Sequence, residues 1–178
     1  MMISIANSII FIGMTCSGKS TLANELSKVI PFKKASFGGY LFNYAQQHNL
    51  DSRKDSLQVI GQDFIETDYK AFLAEVLAFS QPGENVIFEG VRHIVIQNEI
   101  KNISDKTLTF FIDTPFDLRY KRFNQRESDK INEEHFLSMD NHLVEREIIL
   151  LKRSCDFILD GRKDVESLLT EVVSLISL

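Results

Sequence analysis

Gly13-Met14-Thr15-Cys16-Ser17-Gly18-Lys19-Ser20 is the stretch from which the fold is read. It matches the spacing G-x-x-x-x-G-K-[ST]. Each fixed position has a physical reason. Glycine permits backbone turns and close approach that side chains would block. Successive N–H groups can then point inward at phosphate oxygens. A helix beginning at Lys19 would turn its positive end on the same anion. Lys19 would neutralise charge on the β- and γ-phosphates, and Ser20 would offer a hydroxyl to Mg²⁺. Thr15, Cys16, Ser17 and Thr21 complete the expected phosphate cradle. The pattern arises by chance in roughly one unrelated chain in a few hundred, so its flanks matter. Ser8–Ile12 (SIIFI) is an apolar, β-prone run that predicts a buried strand. From Lys19 to Ile30, Leu22, Leu26 and Val29 recur at helical spacing, with Pro31 beyond the end. Strand, glycine turn and helix are the context this motif requires.

Working outward, Phe32–Ser36 reads as a second strand and Tyr40–His48 as a helix. Ser52 and Asp55 suggest a capping box opening a helix with Leu57, Ile60 and Phe64. A further helix carries Phe72, Leu73, Val76 and Leu77 and is broken at Gln81-Pro82-Gly83. Asn85–Phe88 is an apolar strand ending at Glu89-Gly90, followed by a helix through Ile96–Lys101 and a strand at Thr107–Ile112. Phe116–Arg126 reads as a helix, Glu127–Asn132 as a polar stretch, and Glu133–Lys152 as helix with a break near Asp140. Phe157–Leu159 is the last strand, closed by Asp160-Gly161, and Val165–Ser177 is an amphipathic helix. Strands alternating with helices imply parallel crossovers. The expected fold is therefore α/β: a three-layer α/β/α arrangement on a mainly parallel five-stranded sheet, one domain over 1–178. Ligands of such folds bind beyond the carboxyl ends of the strands.

Bulk composition narrows the class. The chain has 178 residues, 44% hydrophobic and 25% charged, which are globular values. Its formal net charge of −5 disfavours a general nucleic-acid binder. No apolar run approaches a membrane span, and the first residues lack a basic segment and a small-residue cleavage site. Two cysteines, Cys16 and Cys155, are too few for a disulfide framework or zinc ribbon, so a reducing cytoplasm is expected. A GTPase switch would want a DxxG after a strand and an NKxD sequence, and neither is present. A large mechanochemical ATPase would need more chain. A small-molecule kinase needs little more than this.

At this point the sequence resembles the P-loop nucleoside monophosphate kinases. Ser36-Phe37-Gly38-Gly39-Tyr40-Leu41 resembles the adenylate-kinase stretch that opens the monophosphate-binding segment. Glu89-Gly90-Val91-Arg92 resembles its Asp-Gly-x-Pro-Arg stretch after the third strand. Phe116–Arg126, with Arg119, Arg122 and Arg126, resembles the helix leading into the lid, and Asp160-Gly161 the loop that meets the adenine edge. The resemblance implies ATP and Mg²⁺, an acceptor segment at 37–80 and a lid at 119–140. Dephospho-coenzyme A kinases and deoxynucleoside monophosphate kinases share much of the pattern. Two departures stand out. The family's arginine on the monophosphate-segment helix is replaced by Phe42, with Asn43 next, leaving Arg53 or Lys54 as substitutes. The family's glutamine four residues past its acceptor arginine falls here on Ile96, with Gln97 one step late.

The expected roles follow. Lys19, Arg92, Arg122 and Arg126 would carry catalysis by neutralising the transferring phosphoryl group. Ser20 and Glu89 would hold the metal, and Gly13, Gly18 and Gly161 would shape the nucleotide site. Phe37, Gly38, Tyr40, Arg53 and Arg92 would meet the acceptor, the guanidinium of Arg92 taking its phosphate bidentately. Against these stand ordinary roles: aromatic core for Phe37 and Tyr40, a solvated basic face for the arginines, and an N-cap or a salt bridge to Lys19 or Arg92 for Glu89. His93 is expected to support Arg92. His48, His135 and His142 lack metal-ligand spacing and are expected at the surface or as caps. The expected partner is a small-molecule phosphate acceptor. The alternatives are a kinase for dephospho-coenzyme A or another small molecule, a kinase acting on a nucleic-acid end, and a nucleotide-dependent binding module without turnover.

Overall fold

The computed structural model describes residues 4–126, 131–140 and 143–177. Strand β1 (Ile5–Ile12) runs into helix α1 (Lys19–Val29), then β2 (Lys33–Ser36), α2 (Phe37–Gln47) and α3 (Lys54–Ser80). β3 (Asn85–Glu89), α4 (Ile94–Ile103) and β4 (Ser104–Asp113) follow. The chain continues through α5 (Phe116–Arg126), α6 (Glu133–Asp140), α7 (Leu143–Lys152), β5 (Phe157–Asp160) and α8 (Val165–Ile176). The five strands form one sheet in the order β2-β3-β1-β4-β5, and every neighbouring pair is parallel.

β1 lies at the centre, between β3 and β4, and is buried along nearly its whole length. The two-residue period of the strand sends its side chains to opposite faces. Ile9 and Phe11 meet Leu22, Ala23 and Leu26 of α1 and Leu168 and Val172 of α8. Ile10 and Ile12 meet the other layer, with Phe72, Leu73 and Val76 of α3, Ile96 and Ile100 of α4, and Ile148 and Leu151 of α7. A sheet covered on both faces needs apolar residues at every position, which is why these strands show little polar alternation. The register pairs Phe11 with both Glu89 and Phe110, so the carboxyl ends of β1, β3 and β4 open at the same edge.

α3 departs from a plain helix. Asp68 has extended backbone (φ −162°, ψ 94°), and its carboxylate accepts from the N–H groups of Lys70 and Ala71 at 3.0 Å each. It thus N-caps the second half, so the two expected helices are separate turns of one bent rod. The expected Ser52/Asp55 capping box lies at the other end. Asp51 accepts there from the Arg53 N–H at 3.0 Å and the Ser56 hydroxyl at 2.8 Å, while the Ser52 hydroxyl accepts from Gln46. The Asp55 side chain lies outside the described residues. The polar stretch at 127–130 and His142 lie outside them as well, so only the flanks of the expected lid are described. No helix among the described residues is long and apolar enough to cross a membrane.

Candidate functional site

The turn between β1 and α1 is built on left-handed backbone. Gly13 has φ 155° and Gly18 φ 107°, with Cys16 between them at φ 60°. A Cβ at Gly13 would stand 2.6 Å from the Ser17 hydroxyl and 2.8 Å from the Ile112 carbonyl, so only glycine fits. The Lys19 ammonium lies across the turn, donating to the carbonyls of Gly13 (2.6 Å) and Met14 (2.8 Å). α1 has no acidic residue in its first turn, so its positive end is not neutralised there.

Beyond this turn lies a cavity of about 890 Å³, within the size range of small-ligand sites. Its walls come from well-separated parts of the chain. Thr15, Cys16, Lys19 and Ser20 belong to the phosphate turn, Phe37, Gly38 and Phe42 to α2, and Arg53, Gln58 and Gly61 to α3 and its approach. Glu89 ends β3 and Arg92 and His93 follow it, while Phe123 and Arg126 of α5, Ile131, and His135 and Met139 of α6 form a further wall. Glu89 is only 7% exposed and pairs with Lys34 on β2 at 3.8 Å. Arg53 is paired with Asp51 at 2.7 Å, which holds that carboxyl well below the usual carboxylate range. The His93 ring nitrogen Nδ1 meets Glu147 of α7 at 3.0 Å. Burial lowers the His93 pKa, Glu147 opposes that shift, and the neighbouring Arg92 reinforces it.

A family model described as AAA domain matches residues 9–147, more than three quarters of the chain. The chain belongs to this family. Its fold is that of known small kinases. Shikimate kinase from Aquifex aeolicus superposes with a TM-score of 0.59 at 20% identity, covering 96% of each chain. Shikimate kinase from Bacteroides thetaiotaomicron gives 0.63 at 13% identity, covering 96% of this chain and 98% of that one. A gluconokinase from Sinorhizobium meliloti gives 0.57 at 11% identity, covering 96% and 91%. The likeness is one of fold, the α/β P-loop kinase fold that the motif resemblance implied.

Within that kinase-like fold the expected site residues divide. Lys19, Ser20, Thr15, Cys16, Gly38, Phe37, Arg53, Glu89, Arg92 and Arg126 line one cavity. Phe37 does so from the core: it is 4% exposed and its ring meets Phe72 at 5.4 Å. Tyr40 is not among the residues lining the cavity. Its ring packs on Phe64, Phe72 and Phe79, and its hydroxyl donates to Glu75, with burial pushing its pKa up. Thr21 is exposed on α1, outside the cavity lining. Arg122 donates to the Ser17 carbonyl at 3.2 Å and the Gly161 carbonyl at 3.0 Å, bridging the phosphate turn and the loop after β5. Gly161 packs so closely on Thr114 that an added Cβ would lie 2.8 Å from the Thr114 Cβ. Gln97 is fully buried, its Oε1 accepting from Ser154, and does not line the cavity. Phe42, half exposed, does line it.

Sequence reasoning missed Gln58, Gly61 and Met139, and placed His135 at the surface or as a cap. His135 is exposed and also lines the cavity. None of these sits in a motif; each reaches the cavity because a helix face happens to turn there.

Proposed function

We propose that the protein is an ATP-dependent phosphotransferase that moves the γ-phosphoryl group to a small phosphate-bearing acceptor, with nucleoside and deoxynucleoside monophosphates foremost. One observation carries the reading: a single cavity is walled both by the phosphate turn, through Lys19 and Ser20, and by the cations Arg53, Arg92 and Arg126. Donor and acceptor phosphates would thus meet in one space. Positioning and charge neutralisation are most of what phosphoryl transfer asks of a protein.

The residues divide the work. The amides of the 13–18 turn and Lys19 would bind the donor phosphates. The Ser20 hydroxyl and the Glu89 carboxylate, both on the cavity wall, offer oxygen donors suited to Mg²⁺, which would neutralise the β- and γ-oxygens when bound. Arg92, with Arg53, would orient the acceptor phosphate as a planar fork. Arg126 would meet charge developing on the transferring group, with Arg122 bracing the turn beside it. Residues 37–80 would form the acceptor side. The 119–140 region would act as a lid that excludes water and so suppresses hydrolysis.

Proton accounting separates the two acceptor classes. Among the described lining residues Glu89 is the one carboxylate. A hydroxyl acceptor must lose a proton to a base, whereas an acceptor phosphate is already anionic. A second reading, a kinase for a hydroxyl acceptor, draws on the shikimate kinase and gluconokinase likenesses and would make Glu89 that base. Glu89→Gln separates them. With a phosphate acceptor it raises the Mg²⁺ requirement; with a hydroxyl acceptor it abolishes turnover and the acidic limb of the pH–rate profile. The central test is a panel of nucleoside and deoxynucleoside monophosphates, dephospho-coenzyme A and sugar acids with labelled ATP, run with wild type and Lys19→Ala. Lys19→Ala is expected to lose about 10²–10³ in rate. A near-normal rate in that variant, or ATP binding without turnover on any acceptor, rejects the proposal.

A further inference from the structure

Arg119 was read from sequence as one of three cations on a helix face, yet it does not line the cavity. It is 5% exposed, and its guanidinium holds three separate segments. Nε donates to the Thr114 carbonyl at the end of β4 (3.1 Å) and Nη1 to the Thr15 carbonyl in the phosphate turn (3.3 Å). Nη1 also donates to Asp140 at 2.8 Å, and Nη2 pairs with the other oxygen of that carboxylate. The rings of Phe116 and Phe136 flank the guanidinium at 5.8 and 5.7 Å. Asp140 is the last residue of α6, the helix whose His135 and Met139 line the cavity.

The contact with Thr15 has a consequence for the turn. In a trans peptide the carbonyl and the following N–H point in opposite directions. Tying the Thr15 carbonyl to Arg119 therefore aims the Cys16 N–H away from Arg119. Thr114 does the same two peptides on, its hydroxyl donating to the Ser17 carbonyl at 2.9 Å and so orienting the Gly18 N–H. The amides expected to hold phosphate are thus set by groups at and just before the start of α5. One of those groups is bidentate to α6.

We propose that the Arg119–Asp140 pair is a positioning device that couples the phosphate turn to the α6 wall. Any shift of α6 is felt at the Thr15 peptide, and any anion gripped by the turn is felt at α6. Filling the phosphate turn thereby stiffens the wall that closes on the acceptor. This inference rests on the proposed nucleotide site. A buried charge pair is weak evidence of stabilisation by itself, since well-packed apolar residues can replace one with little loss of stability. Its geometry, a fork shared between a ligand loop and a cavity wall, points to linkage.

The test uses the full chain, with ADP and Mg²⁺ as the probe, and follows amide hydrogen exchange over Glu133–Asp140. In wild type, saturating ADP is expected to slow that exchange roughly tenfold, the size of an ordinary coupling. Two variants are compared. R119K keeps a cation facing Asp140 but lacks the planar fork that reaches Thr15 and Thr114 together. R119M/D140L removes both charges and fills the space, so that if one variant fails to fold the other decides. Each is expected to bind ADP more weakly and to lose the ADP-dependent slowing. A purely structural role would lower the melting temperature yet leave the ratio of exchange rates with and without ADP as in wild type, and that result overturns the inference. Wild type that binds ADP with no response in α6 also overturns it, while leaving the phosphotransferase reading intact. Wild type that fails to bind ADP overturns both.

Discussion

Arg119, Arg122 and Arg126 lie on one stripe of α5, yet each ends in different surroundings. Arg119 is buried against Asp140, Arg122 bridges two backbone carbonyls, and Arg126 lines the cavity. Helical spacing places side chains on a face; what that face meets depends on segments far away in the chain. His93 makes the same point and yields a prediction. It is 7% exposed behind Arg92, and burial holds its pKa below the ordinary value of 6.5. The fold therefore disfavours the imidazolium, and the unfolded chain binds the proton more readily. Stability should rise with pH between the lowered value and about 6.5, and be lost on acidification through that window. His93→Gln should flatten this part of a melting-temperature profile from pH 5 to 7. A wild-type profile that rises on acidification would show that Glu147 outweighs burial.

At the level of elements, the long α3 is two helices joined at Asp68. The apolar spacing of Leu57, Ile60 and Phe64, then Phe72, Leu73 and Val76, marks both halves in the sequence. The join is less visible, because an aspartate inside a polar run resembles any solvated residue. Its capping of Lys70 and Ala71 appears only once the bend is formed. Asp68→Ala should cost about 1 kcal/mol by urea denaturation, the usual worth of an N-cap. A change near zero would mean that packing of Phe72 and Leu73, not the cap, fixes the bend. A second local carboxylate sits at the start of α3, where Asp51 accepts from Arg53 and Ser56 at once.

For the whole molecule, strand order is what brings the site together. β1 and β3 lie side by side although more than seventy residues separate them, so the phosphate turn after β1 and the Glu89–Arg92 stretch after β3 reach one edge. α2 and α3 then cover one side of the opening, and α5 with α6 the other. A ligand that binds only this assembled state stabilises it by mass action. ATP with Mg²⁺ at a hundred times its dissociation constant should contribute about 2.7 kcal/mol, or roughly 5–10 °C in melting temperature for a chain of this size. Thermal scans with ATP, GTP and no nucleotide measure it, and identical curves would count against a nucleotide site.

The phosphate turn, the β–α alternation, the parallel sheet and the kinase-like resemblance were all legible before any coordinates, because each rests on local backbone geometry or on a short periodicity. Gly13 and Gly18 announce left-handed backbone wherever they stand at that spacing, and Ile9 to Ile12 announce a doubly covered strand. Tertiary structure alone decided that Tyr40 belongs to the core and that Arg119 braces the turn from behind. It also decided that Phe42, Gln58 and His135 share a cavity with Lys19. Those outcomes depend on which faces of distant helices meet, and a face carries no mark in the sequence of what will be packed against it.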